Sequence, residues 1–133
     1  MPRTILSVDD EPDITDLARF HLSRAGFEVL TAGSGREAIE IITTRHPDLV
    51  LLDLMLPDID GFGVCEILRR APDTAAIPII ILSAWSTSEA RALGMDYGVL
   101  EYVTKPFSPS DLVNRVRRLL SPAGTKPAAA PPP

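Results

Sequence analysis

Residues 46–61 read HPDLVLLDLMLPDIDG. Within them Leu49, Val50, Leu51 and Leu52 make a short unbroken apolar run, the pattern of a strand buried on both faces, as in a parallel sheet. Asp53 follows at once, and Leu56 with Pro57 and Asp60 with Gly61 are loop residues rather than a continuation of the strand. An acid at the carboxyl end of a buried parallel strand lies on the edge where open α/β sheets bind their ligands. Asp53 is therefore expected at a rim, presented to something.

The same pattern recurs along the chain. Residues 4–8 form a first apolar run that ends in Asp9, Asp10 and Glu11. Pro12 suits a first helical turn, Ile14, Leu17, Ala18 and Leu22 recur at helical spacing, and Gly26 is a natural stop. Residues 27–32 read as a second strand. Ser34 with Glu37 makes a capping box for a helix that turns Ala38, Ile41 and Ile42 inward and ends at His46 and Pro47. After the Asp53 strand, Gly61 leads into a short helix carrying Val64, Ile67 and Leu68, broken near Pro72. Pro78 precedes a fourth buried run, 79–82, which ends in Ser83. Ser86 with Glu89 repeats the capping-box spacing for a helix through about residue 96, and Gly98 turns the chain. Residues 100–104 are the fifth strand, ending at Lys105 and Pro106. Ser108, Pro109 and Asp111 then supply N-cap, first-turn proline and N3 acid for a last helix with Leu112, Val113, Val116, Leu119 and Leu120 on its apolar face. Arg115, Arg117 and Arg118 fall in its C-terminal half, which suits the helix dipole and predicts a solvated face.

Five strands alternating with five helices predict an α/β three-layer sandwich with a parallel sheet. Right-handed crossovers leave the flavodoxin-like (βα)5 arrangement, strand order 2-1-3-4-5, as the expected topology. The carboxyl ends of strands one and three then share a crevice where Asp9, Asp10 and Asp53 meet, overlooked from one side by Ser83 and Lys105. This domain is expected over 1–120. From Ser121, SPAGTKPAAAPPP has almost nothing to bury, so 121–133 reads as a Pro/Ala-rich flexible tail or linker.

Composition narrows the function. At 133 residues, 45% hydrophobic and 23% charged, the chain fits one domain with a single core. A formal charge of -5 argues against direct nucleic-acid binding, which rests on phosphate neutralisation. No run approaches the length of a membrane span. One cysteine, Cys65, excludes an internal disulfide and a multi-cysteine metal site, pointing to a cytoplasmic location; it reads as a small apolar residue. His21 and His46 read as surface or helix-end residues.

Three converging carboxylates repel one another, and the ordinary remedies are shared protons or a bound cation. Oxygen-only ligands favour a hard ion, Mg²⁺ or alternatively Mn²⁺. A lysine and a hydroxyl across the crevice suit a phosphoryl group, one neutralising an oxygen and the other donating a hydrogen bond. Asp53 in the middle is then placed as a nucleophile whose product is an aspartyl phosphate.

VDDEP, LLDLMLPDIDG, ILSA and EYVTKPF, in this order, resemble the receiver domains of two-component response regulators, over residues 4 to about 120. The resemblance implies Asp53 as phosphoacceptor, Asp10 as a direct Mg²⁺ ligand, Asp9 acting on the metal through water, and the Met55 carbonyl completing the protein's share of its shell. It implies Ser83 as the hydroxyl bound to the phosphoryl group, Lys105 as its ion-pair partner, Tyr102 as an aromatic switch, and a cis bond before Pro106. A sensor histidine kinase or histidine phosphotransfer protein is the implied donor, and an output partner or effector domain of unknown identity the reader. The domain is then a signalling switch that catalyses only its own phosphorylation and slow dephosphorylation. The added charge is expected to draw Ser83 and the loop after strand four inward, and to move Tyr102 inward. The surface of helix four, strand five and helix five would carry the output. Arg91, Asp96, Glu101 and Arg115 resemble the charges by which DNA-binding members pair, which opens homodimerisation on that surface, although Leu100 stands where an acid is usual. Met55 and Trp85 occupy positions that line the path of the hydrolytic water; neither is a base, so a long-lived phosphoryl group is expected.

Other readings fit less well. A phosphorylation-independent adaptor would not need the acid pocket. A flavin or nucleotide binder of this topology would have a Gly-rich loop after strand one, where acids stand instead. A haloacid-dehalogenase-type phosphatase places its nucleophile after strand one in a DxD pattern, which Asp9, Asp10 and Glu11 do not match.

Overall fold

The computed structural model of the protein describes residues 2–121; the expected tail lies almost wholly outside the described residues. Strands β1 (Thr4–Val8), β2 (Glu28–Ala32), β3 (Leu49–Leu52), β4 (Ile79–Ser83) and β5 (Glu101–Thr104) alternate with helices α1 (Pro12–Arg24), α2 (Gly35–Arg45), α3 (Gly61–Arg70), α4 (Ser88–Asp96) and α5 (Pro109–Leu120). All strand pairs are parallel, in the order β2-β1-β3-β4-β5. This is the flavodoxin-like arrangement expected from the alternation.

Strand periodicity divides the core in two. Leu6, Val50 and Ile81 point to one face and pack with Ala38, Val64 and Cys65, from α2 and α3. Ile5, Leu51 and Ile80 point to the other and pack with Ala18, Leu112 and Val116, from α1 and α5. Residues one apart on a strand thus serve opposite layers, which is why β3 and the first four residues of β4 are apolar without alternation. Cys65 is an apolar member of this packing, and burial pushes its thiol up to about 11.

The starts of α2, α3 and α5 follow side-chain caps. Ser34, Asp60 and Ser108 accept from the N–H groups of Glu37, Gly63 and Asp111. One start differs from the sequence reading: Thr87, not Ser86, caps α4, accepting from Ala90 N–H at 3.1 Å. Two adjacent hydroxyl residues offer two registers, and the one that buries Ala90 prevails. The buried stripe of α1 is Thr15, Ala18 and Leu22, and that of α3 includes Val64, Cys65 and Leu68. Leu17 and Ile67, expected inside, lie about one residue of helical rotation off these stripes and are exposed. Phe27 precedes β2 because its N–H is held by Leu22 at the end of α1, and Leu100 lies exposed before β5. His46 ends α2 in the left-handed region, φ 47°.

Charges lock the periphery. Arg115 pairs with Asp111 and Glu101, and Arg118 with Glu101, so these arginines dock α5 onto β5 instead of forming a purely solvated face. The Arg69 guanidinium donates to the carbonyls of Ala75, Ile77, Tyr97 and Gly98, tying the end of α3 to the exit of α4.

At Gly61 the loop after β3 folds back on its own root: a Cβ there would fall 2.6 Å from the Asp53 carbonyl oxygen and 2.7 Å from Leu54 Cα. Both neighbours are backbone and cannot rotate away. Gly61→Ala is expected to lower stability by about 2–3 kcal/mol, measured as a shift of the urea midpoint with unchanged m-value.

Candidate functional site

The sheet ladder carries the site residues one step past their strands. Asp9 N–H donates to Ala32 C=O, Asp53 N–H to Val8 C=O, and Lys105 N–H to Ser83 C=O, each at 3.0 Å. These bonds aim three side chains at one crevice above the carboxyl edge. The Lys105–Pro106 peptide, at the end of β5, is cis.

Asp9 and Asp53 are each only 4% exposed. Their carboxylates are satisfied in parallel ways: one oxygen takes the N–H two residues on, Glu11 for Asp9 at 3.0 Å and Met55 for Asp53 at 3.2 Å. The other oxygen faces Lys105 Nζ, at 2.6 Å for Asp9 and 3.2 Å for Asp53. Glu11 Oε1 stands 3.3 Å from the same ammonium group. Asp10 is exposed, yet its carboxylate joins those of Asp9 and Asp53 in a cluster whose ligand oxygens lie within 4.8 Å of one another. Above them opens a cleft lined by Asp10, Glu11, Asp53, Met55, Ala84 and Lys105.

Burial raises the Asp9 carboxyl above its ordinary value, more than the Lys105 hydrogen bond and the Glu11 N–H bring it down, with the charge of Asp53 adding to the rise. Burial works against the Lys105 ammonium, but the hydrogen bond to Asp9 and the charges of Asp53 and Asp9 together outweigh it and hold the amine above its ordinary value. The two directions agree physically. The acid is short of solvent, and the lysine is rich in counter-charge.

Ser83 is fully buried; its Oγ accepts from Trp85 N–H at 3.2 Å, and it is not among the residues lining the cleft. The Tyr102 hydroxyl donates to the Trp85 carbonyl, and the Arg91 guanidinium lies 4.7 Å over the Tyr102 ring while bonding Thr104. Burial, opposed by Arg91, raises the Tyr102 phenol. Trp85 is thus joined by its backbone to Ser83 on one side and to Tyr102 on the other. Its indole packs edge-on against Phe62, with centroids 5.9 Å apart. Met55 and Trp85 side chains are 60% and 41% exposed at the cleft rim and beside it.

The donor set fits a hard divalent cation: all the ligand atoms are oxygens, two acids are buried, and three negative charges are only partly offset by one ammonium group. Asp9, Asp10 and Asp53 are the residues that would hold it. Glu11 is the member that sequence reasoning left without a role, although the run of three acids after the first strand was its signal. Trp85, as the backbone link between Ser83 and Tyr102, had no signal of that kind.

A family model described as "Response regulator receiver domain" matches residues 5–117. The chain belongs to the response regulator receiver family. It is 47% identical over 118 residues to a probable transcriptional regulator ycf27 of Cyanophora paradoxa, a match covering 89% of this chain and 48% of that protein. It is 43% identical over 130 residues to the DNA-binding dual master transcriptional regulator RpaA of Synechocystis, covering 98% of this chain and 54% of that one. The chain therefore spans about half the length of these curated relatives. Among solved structures, a putative response regulator from Chloroflexus aurantiacus superposes with a TM-score of 0.85 at 38% identity, covering 90% of this chain and 98% of that one. Receiver domains bind Mg²⁺ at an acidic pocket, and the Asp9, Asp10 and Asp53 cluster is an acidic pocket of this kind. No helix among the described residues is long and apolar enough to cross a membrane.

Lys105 is the counter-ion of buried acids, which gives a pH signature in metal-free buffer. Its folded-state value is raised, so its contribution to stability is complete below the unfolded value of 10.5 and is lost as pH rises through the folded one. Lys105→Met is expected to cost about 2 kcal/mol at neutral pH and to lack that alkaline loss. With its acids uncompensated, the variant should regain stability on acidification. Urea unfolding of both proteins across pH measures this.

Proposed function

We propose that the domain is a phosphorylation-operated switch in which Asp53 accepts a phosphoryl group from the phosphohistidine of a sensor histidine kinase or histidine phosphotransfer protein. The observation that carries this reading is Asp53 itself: a buried carboxylate at the end of a central strand, opening onto the cleft, 3.2 Å from Lys105 and clustered with Asp9 and Asp10. A carboxylate oxygen of Asp53 forms the new bond to phosphorus, the P–N bond breaks, and the imidazole leaves with the electron pair. Lys105 Nζ holds one phosphoryl oxygen and offsets its charge. Mg²⁺, for which Mn²⁺ can substitute, would be held by Asp10, Asp9, Asp53 and the Met55 carbonyl, and supplies further charge neutralisation when bound.

The switch follows from the bonds that Ser83 and Tyr102 make. A phosphoryl group on Asp53 accepts a hydrogen bond from the Ser83 hydroxyl, whose oxygen already accepts from Trp85 N–H, and draws Ser83 toward it. The loop after β4 moves with Trp85, and Tyr102 and Arg91 carry the change to the surface of α4, β5 and α5. The receiver over 1–120 is a cytoplasmic signalling module that catalyses only its own phosphorylation and slow dephosphorylation. Its output passes to a partner or an effector domain, and one relative is named a DNA-binding regulator; at -5 net charge, the receiver itself is not expected to contact nucleic acid. Leu93, Met95 and Leu100 are exposed along the output segment, which suits pairing of active receivers. Arg91, Glu101 and Arg115 already have partners within the chain that such pairing must share.

Incubation with phosphoramidate and Mg²⁺ is expected to add one phosphoryl mass to the wild type and none to Asp53→Asn, read by intact mass spectrometry. Equal labelling of both overturns the assignment, and labelling of neither favours a phosphorylation-independent adaptor.

Neither Met55 nor Trp85 can act as a general base toward an attacking water, so the aspartyl phosphate is expected to be long-lived. Met55→Asn, which supplies a polar group at the rim, should shorten its half-life severalfold in a decay time course; rapid wild-type loss unchanged by the substitution contradicts this.

A further inference from the structure

The first turn of α2 shows an unusual division of labour. The leading N–H groups of a helix have no partner within it. Ser34 Oγ takes the N–H of Glu37, and Ser34 C=O takes that of Ala38. The N–H groups of Gly35 and Arg36 go elsewhere: they donate to Asp58, 23 and 22 residues on, at 2.8 Å to Oδ1 and 3.0 Å to Oδ2. Oδ1 also accepts from Ile59 N–H at 2.7 Å. The Arg36 N–H foremost, against a smaller cost of desolvation, and then the other backbone donors hold the Asp58 carboxyl below its ordinary value.

Asp58 lies in the loop between β3 and α3, the same loop that presents Met55. Steric fit supports the electrostatic tie. A Cβ on Gly35 would lie 2.9 Å from both Ile59 Cβ and the Ile59 carbonyl oxygen, so the loop packs against helix backbone that carries no side chain at Gly35. The loop is also held at its base, where Gly61 N–H donates to Leu54 C=O at 2.9 Å, and by Asp60, which caps α3. Met55 sits in the span between the Leu54 root and the Asp58 tie. Its N–H is fixed on Asp53, and its carbonyl is the group the phosphoacceptor reading assigns to the metal.

We propose that Asp58 is a positioning residue for phosphoryl transfer: by fastening the loop after β3 to the N-terminus of α2, it holds the Met55 carbonyl in register with the acid cluster. The inference rests on the phosphoacceptor reading above. Asp58 touches neither metal nor phosphoryl group and acts through the loop. A tie that merely stabilised the fold would lower the melting temperature and leave the Mg²⁺ affinity of the folded protein unchanged.

The test uses the full chain as wild type, Asp58→Ala and Asp58→Asn. Amide exchange at Gly35 and Arg36 reports the tie, calorimetric titration with Mg²⁺ the affinity, and phosphoramidate labelling against Mg²⁺ concentration the transfer rate. In Asp58→Ala the two amides should exchange faster and Mg²⁺ should bind about tenfold more weakly, the size of loss typical when a supporting group behind a metal ligand is removed. Labelling should slow by the same factor at low Mg²⁺ and recover at saturation. Asp58→Asn, which keeps one acceptor oxygen, should fall between, and it serves alone if the alanine variant does not fold. Wild-type Mg²⁺ affinity in a folded variant whose amides have been freed overturns the proposal, as does unchanged exchange at those amides. A wild type that takes up no phosphoryl group overturns the underlying reading. A wild type that labels normally beside an unaffected Asp58 variant overturns the Asp58 role alone.

Discussion

Two carboxylates, those of Asp9 and Asp53, are buried side by side at the ends of adjoining central strands, with the Lys105 ammonium against both. Like charges in such a place are costly, and a cation is what makes the arrangement tolerable. Lys105 supplies one from β5, across the intervening strand β4. A long, flexible side chain suits that reach, and β4 ends in the small Ser83 between them. The remaining negative charge, with exposed Asp10 and Glu11 at the rim, makes the cleft an acidic pocket. The same imbalance explains why the donor set fits a divalent ion.

The geometry follows from the sheet. Parallel pairing places every strand's carboxyl end on one edge, and the 2-1-3-4-5 order makes β1 and β3 neighbours with helices leaving on opposite faces. Backbone bonds one step beyond the strands hold Asp9, Asp53 and Lys105 as rigidly as the ladder itself. Single hydrogen bonds join Ser83 to Trp85 and Trp85 to Tyr102. The far end of α4 is pinned by Arg69, and α5 is pinned to β5 through Glu101.

Much of this was legible in the sequence because the signals were local. Unbroken runs at 49–52 and 79–82 reported burial on both faces, Ser34 and Ser108 announced their helices, and the acids after the first and third strands marked the edge. The errors arose where neighbouring residues offered equivalent choices. Ser86 and Thr87 are both capable caps, and Leu17 and Ile67 are both apolar residues beside a buried stripe. Features made by distant residues left no local trace. Arg69 bonding four carbonyls, Asp58 capping a helix over 20 residues earlier, and Arg115 meeting Glu101 depend on the folded chain. Ser83 reads from sequence as an edge residue facing the crevice, whereas its hydroxyl lies buried against Trp85 N–H.

The central claim is that Asp53, among the acids of one pocket, carries the phosphoryl group. Treating the phosphorylated domain with sodium borohydride reduces an acyl phosphate to an alcohol, converting the modified aspartate to homoserine, and peptide mass mapping then names the residue. Homoserine at position 53, dependent on prior phosphorylation, is the predicted result. Homoserine at Asp9 or Asp10 instead, or at no aspartate of a domain shown to carry the phosphoryl mass, contradicts the account.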